Sequence, residues 1–263
     1  MFVINQNIFG DSDADAQAFL TVTGITDSTI SNAINTLVLG LKANNLLTKM
    51  LAVYPFVGGT ATTHKYNLKD PRDLDAAFRL GFNGGITHSG TGALPNGSTG
   101  YANTFLNQVS QSLTNSNHFS VYYRNNTTGV RTDGAYKASA PSAWWQMSLK
   151  DTTYTFMYGS LAQPIGVSIS DTRGLFTLSR QSSTNLRSFR NDGFLANTTS
   201  TKSVTNSVTV YLFARHYEGL SYGEYFNNKE CAFASLGTGL DDTDVSKLYT
   251  LVQAFQTTLG RQV

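Results

Sequence analysis

Few residues in this chain are placed to do acid–base chemistry. Glutamate occurs three times, at Glu218, Glu224 and Glu230, and aspartates gather at Asp70, Asp73 and Asp75. A typical glycosidase needs two carboxyl groups flanking the scissile bond. No glutamate has an aspartate two places away, and Pro71 predicts a turn through the aspartate cluster. The chain is therefore expected not to be an enzyme, and a glycan depolymerase ranks last among the readings. Asp11, Asp13 and Asp15 imitate the start of a calcium loop, but Ala16 and Val22 stand where that loop needs Gly and Glu. Helix capping is the expected role of the triplet, and no metal or cofactor is expected. His64, His88, His118 and His216 form no His-x-x-x-His pair, and no Gly-x-Ser-x-Gly elbow is present. They are expected to be ordinary surface or strand histidines. A single cysteine, Cys231, excludes an internal disulfide, and its setting Cys231-Ala-Phe-Ala234 reads as a buried strand.

Aromatic residues make the better case for binding. Trp144 and Trp145 are adjacent, so on a strand they face opposite sides, one toward the core and one available to a ligand. Tyr217, Tyr222, Tyr225 and Phe226 crowd a glycine-containing loop. Tyrosines on such a loop suit stacking on a sugar ring or a protein interface, and core packing or loop anchoring is the competing reading. The most charge-dense segment is Asp70-Pro-Arg-Asp-Leu-Asp75 with Arg79. Arg72 and Arg79 there read as a local clamp or as an inter-subunit contact. The extended start holding Phe2 and Ile4 is a candidate to add a strand to a neighbouring sheet, with a frayed end as the alternative.

Composition narrows the partners. Charged residues make up 14% of 263, against about 25% in ordinary globular chains. Net charge is +2, with the Lys and Arg residues scattered. Binding driven by phosphate neutralisation has little support, so no nucleic-acid partner is expected. No stretch approaches the roughly 18 apolar residues of a membrane span, so no membrane insertion is expected. The start, Met1-Phe-Val-Ile-Asn-Gln-Asn7, lacks a basic region and a long apolar run, so no signal peptide is expected and synthesis in a cytoplasm follows.

The elements that must position these residues are mostly strands. Ile30, Ile34, Leu37, Val38 and Leu41 make a helical stripe after caps at Thr26 or Asp27, running to about residue 50. A shorter helix starting near Ala14 precedes it and ends at Gly24. From residue 51 the pattern predicts strands at 52–57, 64–68, 78–82, 119–123, 144–149, 153–158, 166–170, 174–180, 185–190, 194–198, 208–215 and 231–236. Asn191-Asp192-Gly193 signals a hairpin. The glycine-rich stretch 84–100 is expected to be a flexible loop. Asp241, Asp242 or Thr243 caps a last helix, whose apolar face is Val245, Leu248, Tyr249, Val252 and Phe255. The fold class expected is mainly β: a two-sheet antiparallel jelly-roll sandwich with an N-terminal helical pair and a C-terminal helix. Residues 1–50 form the extension and helical pair, and 51–263 the jelly roll with its closing helix.

Two resemblances sharpen this. Asn185-Leu-Arg-Ser-Phe-Arg-Asn-Asp-Gly-Phe-Leu-Ala196, Val208-Thr-Val-Tyr-Leu-Phe-Ala214, the segment 225–237 and Leu240-Asp-Asp-Thr-Asp-Val-Ser-Lys-Leu-Tyr249 resemble the closing strands of concanavalin A-like, laminin-G-type domains. Asn227-Asn228 replaces that family's usual Gly at one turn. The stretches 13–45 and 54–79, with Leu251-Val-Gln-Ala-Phe-Gln-Thr-Thr-Leu-Gly-Arg261, resemble structural proteins of tailed bacteriophages. That second resemblance implies a virion component, non-enzymatic, acting by protein–protein assembly as a capsid- or tail-associated decoration, fibre or adaptor protein. Other virion proteins, and a homo-oligomer, are the partners implied. The alternative is a receptor- or carbohydrate-binding adhesin module that takes a host surface glycan through Trp144, Trp145, Tyr217, Tyr222 or Tyr225.

Overall fold

A computed structural model describes residues 12–127, 134–137, 144–151, 154–159, 165–199, 201 and 208–263, with side chains omitted at 134–137, 144, 150–151 and 154–159. Two helices open it, α1 (Ala14–Thr23) and α2 (Ser28–Ala43). Their starts follow from aspartate caps: Asp13 accepts from the Asp15 N–H and Asp27 from the Ile30 N–H. Asp13 and Asp15 also share Lys42 of α2, at 2.5 and 2.8 Å, which ties the two helices together. A short α3 (Ala61–His64) and the long α4 (Asp242–Thr258) complete the described α-helices. Asp241 and Asp244 make a reciprocal capping box at the start of α4.

The strands form two antiparallel sheets. The first runs β13 (Gly193–Thr198), β12 (Asn185–Arg190), β11 (Gly174–Ser182), β6 (Asn117–Tyr123), β17 (Cys231–Gly237), β4 (Gly92–Pro95), β3 (Ile86–Ser89). β1 (Met50–Tyr54) also pairs with β17. The second runs β10 (Ile165–Val167), β9 (Tyr154–Gly159), β8 (Trp144–Asp151), β7 (Gly134–Lys137), β14 (Thr209–Leu212), β5 (Tyr101–Asn107), β2 (Gly81–Asn83). A small hairpin, β15 (Arg215–Tyr217) and β16 (Gly223–Glu224), joins this sheet through β7.

Helices cover one face of the first sheet, and the second sheet covers the other. All seven residues of β6 and all seven of β17 are consequently buried. Their side chains divide between two cores. Phe119, Val121, Tyr123, Cys231 and Leu236 meet Trp145, Met147, Val210 and Leu212 of the second sheet. Tyr122, Ala232 and Phe233 meet Ile34, Leu37, Val38, Leu41, Val245, Leu248 and Val252 of the helices. Strands buried on both faces read as continuous apolar runs rather than alternation, and that is the pattern at 231–236.

Three expected elements differ. Residues 64–68 are not a strand: Thr60 and Thr63 make a capping box that starts α3 there. The stretch 84–100 is no open loop but carries the β3–β4 hairpin, paired Ile86↔Pro95 through Ser89↔Gly92. Its glycines serve close approach. A Cβ on Gly92 would sit 2.4 Å from the Cys231 carbonyl oxygen. α2 stops at Ala43, followed by a 3-10 turn at Leu47–Lys49, so the expected run to residue 50 is two pieces.

Candidate functional site

The outer face of the second sheet carries the aromatic cluster. In β14, Val210 and Leu212 point into the core, so Tyr211 between them faces outward. Tyr101 of β5 stacks on it at 4.7 Å with planes 19° apart. At Phe213 the chain takes a left-handed turn (φ 69°) and re-enters the sheet as β15, parallel to β7. That turn brings His216 onto Tyr211, at 4.0 Å and 10°. Tyr101, Tyr211 and His216 thus form a continuous three-ring stack.

The stack holds down the loop between β15 and β16. His216 Nδ1 lies 2.8 Å from the Thr209 carbonyl oxygen and Nε2 lies 3.0 Å from that of Leu220. Burial pulls its pKa down, and the two carbonyls oppose that shift. Burial, with Tyr101 beside it, pushes the Tyr211 hydroxyl up to about 12, so it stays protonated. Tyr101 donates to the Ser221 carbonyl at 3.4 Å. Gly223 presses on the sheet, since a Cβ there would meet Ala214 at 2.8 Å and Phe226 at 3.1 Å.

Above this base sit the exposed tyrosines. Tyr222 is 55% exposed and Tyr225 48%. Tyr225 has a left-handed backbone, φ 54°, which is uncommon for a bulky residue and costs on the order of 1–3 kcal/mol. The Arg215 guanidinium lies 4.0 Å from the centre of its ring and 5.9 Å from that of Tyr217. Arg215 is itself buried and donates to Glu224 Oε2 at 2.9 Å across the hairpin.

The other expected site residues fall elsewhere. Trp145 is in the inter-sheet core, 1% exposed, with its ring 5.8 Å from that of Phe119. It packs the sandwich and offers no face to a ligand. Trp144 precedes it in β8, and its side chain lies outside the described ones, as do residues Phe2 and Ile4 altogether. Arg72 closes on Asp70 of its own loop, at 2.8 and 2.5 Å. Arg79 bonds Asp75 at 2.8 Å and Asp73 at 3.2 Å, with its guanidinium over Phe105. Both arginines make the local clamp. Tyr217 is half-buried.

Sequence reasoning missed Tyr101, Tyr211, Arg215, His216 and Glu224. The outward place of Tyr211 was legible in the alternation of 208–214. The partners across the sheet were not, because they lie far apart in sequence. Of the histidines expected on the surface or on strands, His88, His118 and His216 lie on strands, and His64 ends α3 instead. His64 and His118 are buried, and His64 Nδ1 lies 2.9 Å from His88 Nδ1.

No family model and no curated protein matches this chain. Solved structures do. Trypanosoma rangeli sialidase in complex with 2,3-difluoro-KDN superposes with a TM-score of 0.53 at 10% identity, over 83% of this chain and 39% of that one. The same sialidase in complex with sialic acid gives 0.53 at 11%, over 77% and 33%. The fold is a concanavalin A-like jelly-roll sandwich. The CBM40 of a Ruminococcus gnavus IT-sialidase, bound to α2,3 sialyllactose, gives 0.42 at 8%, over 52% of this chain and 84% of that one. This chain spans about two fifths of the sialidase it resembles.

One expectation is corrected by these likenesses. A chain without paired carboxylates was expected not to be an enzyme, yet the structures it resembles in fold are sialidases, which are glycoside hydrolases. Sialidases use a tyrosine nucleophile and escape the two-carboxylate rule. Counting carboxylates is therefore no test of whether this chain is an enzyme.

Proposed function

We propose that this chain binds carbohydrate through the β15–β16 hairpin, with Tyr222 and Tyr225 as the stacking surfaces. One observation carries the reading: two exposed tyrosines stand on a hairpin held from below by stacking, close packing and an ion pair. A ring fixed before the ligand arrives, as Tyr225 is by Arg215, loses little freedom on binding, which favours affinity for a weakly held sugar. Charged residues make up only 14% of the whole chain. The superposition on sialidases supports the fold such a site needs and no more.

The test is a glycan panel followed by titration calorimetry on the best ligand. Tyr222→Ala and Tyr225→Ala are each expected to weaken binding about tenfold or more, worth about 1.4 kcal/mol. Failure of every glycan to bind sinks the proposal. Release of free sugar is followed in the same samples, because this sandwich occurs in glycoside hydrolases.

A second reading places the module on a bacteriophage virion, docked to other virion proteins. It rests on the resemblance of 13–45, 54–79 and 251–261 to phage structural proteins. Counting copies per purified particle by quantitative mass spectrometry checks it, and zero copies removes it.

A further inference from the structure

Resting on the carbohydrate reading, we infer that Arg215 is a positioning residue beneath Tyr225 and not a reader of ligand carboxylates, so that the hairpin takes uncharged pyranoses rather than sialic or uronic acids. Sugar acids are commonly held by an arginine whose guanidinium fork is open to the ligand carboxylate, since the two match bidentately. Arg215 has the right chemistry and the wrong commitments. It is 8% exposed, its Nη2 is 2.9 Å from Glu224 Oε2, and its plane backs the Tyr225 ring at 4.0 Å. Drawing it out toward a ligand would strand Glu224 and unseat Tyr225 together.

Local charge points the same way. Residues 215–226 contain one arginine, Arg215, two glutamates, Glu218 and Glu224, and no lysine. The hairpin is formally negative by one charge with His216 neutral, and the pKa of His216 is lowered by burial. Arg215 is taken up by Glu224, so this hairpin cation is not open to draw in an anionic sugar. The left-handed backbone of Tyr225 fits the same account. A strained, exposed ring persists where neighbours hold it, and here the neighbours are Arg215 below and the Gly223–Glu224 strand before it.

The experiment compares neutral oligosaccharides with the same oligosaccharides capped by sialic acid, at 50 and 500 mM NaCl, on the intact chain. Neutral ligands are expected to bind at least tenfold tighter, with affinity changing less than twofold between the two salt concentrations. Arg215→Met is expected to weaken neutral binding about tenfold. Glu224→Gln, which keeps the hydrogen bond and removes the charge, is expected to weaken it two- to threefold and to leave the melting temperature within a degree or two. Should Arg215→Met fail to fold, Glu224→Gln and the ligand comparison still decide. Preference for the sialylated ligand, lost at high salt, overturns the inference, as does full affinity in folded Arg215→Met. Absence of binding to either class refutes the carbohydrate reading itself, and this inference falls with it.

Discussion

Acid should unfold this protein through two buried histidines well before its carboxylates titrate. His64 and His118 are 1% and 0% exposed. Burial, then the neighbouring His88 and Arg261, takes His64 from 6.5 down to about 3. Burial takes His118 from 6.5 to about 4, against the opposing pull of the Thr238 carbonyl. As a neutral ring, His118 donates from Nδ1 to Thr238 at 2.6 Å and accepts from the Ser235 hydroxyl at Nε2, 3.2 Å away. Both groups have folded pKa values below their unfolded ones, so the unfolded chain binds more protons between about pH 4 and 6.5. Stability is then complete above pH 6.5 and falls as pH drops below it. At pH 5 each histidine has cost about 2 kcal/mol, at about 1.36 kcal/mol per pH unit. Together they remove about 4 kcal/mol, a large share of the roughly 5–15 kcal/mol of an ordinary domain. Asp13, Asp70, Asp73 and Asp171 have lowered pKa values and act in the same direction, but only below their ordinary 3.8. The window from pH 7.5 to 5 therefore isolates the histidines, and the less buried His88 and His216, also lowered by burial, add to the same trend. The assay is urea unfolding at pH 7.5, 6 and 5, with a His64→Gln, His118→Gln double variant expected to lose most of the dependence. Where that variant does not fold, proton uptake on unfolding the native chain at pH 5 gives the same number. A wild-type midpoint unchanged between pH 7.5 and 5 would refute the reasoning.

Two further outcomes follow from buried groups. Arg261 is 1% exposed and donates to the carbonyls of Pro55, Phe56 and Ala232 and to Gln256 Oε1, at 2.6 to 3.0 Å. Arg261→Met strands those acceptors, and thermal unfolding should show a loss of about 3–5 kcal/mol. Trp145→Ala should cost about 3–5 kcal/mol as a core cavity while leaving glycan affinity of the folded fraction unchanged, measured by calorimetry at low temperature; a selective loss of binding would instead return Trp145 to the site.

The sequence carried the helices and the double-sheet plan because both are written locally. Asp13, Asp27 and Asp241 cap where short-range hydrogen bonding places them. Asn191-Asp192-Gly193 turns because Asn191 accepts a left-handed backbone, φ 57°. Glycine content hid the β3–β4 hairpin, since residues selected for close approach look like loop residues. The site was half legible. Tyr217, Tyr222 and Tyr225 share one short stretch and could be picked out, but Tyr101 reaches them only through the β5–β14 pairing, and β15 finds its place against β7. Trp145 shows the same limit from the other side: residue type suggested a ligand, and burial assigned packing.

The placement of β6 has a bearing on how the chain must be made. Both of its neighbours, β11 and β17, are synthesised long after it, and its two faces are closed only when the second sheet and α4 have formed. A nascent chain thus carries a strand whose residues are all buried in the finished fold, with two open edges, through most of its translation. Contacts so distant in sequence are slow to form, and an unpaired apolar strand invites pairing with other chains in the interval. Production of soluble protein should accordingly depend on expression temperature and chaperone supply more steeply than the finished, well-buried sandwich would suggest.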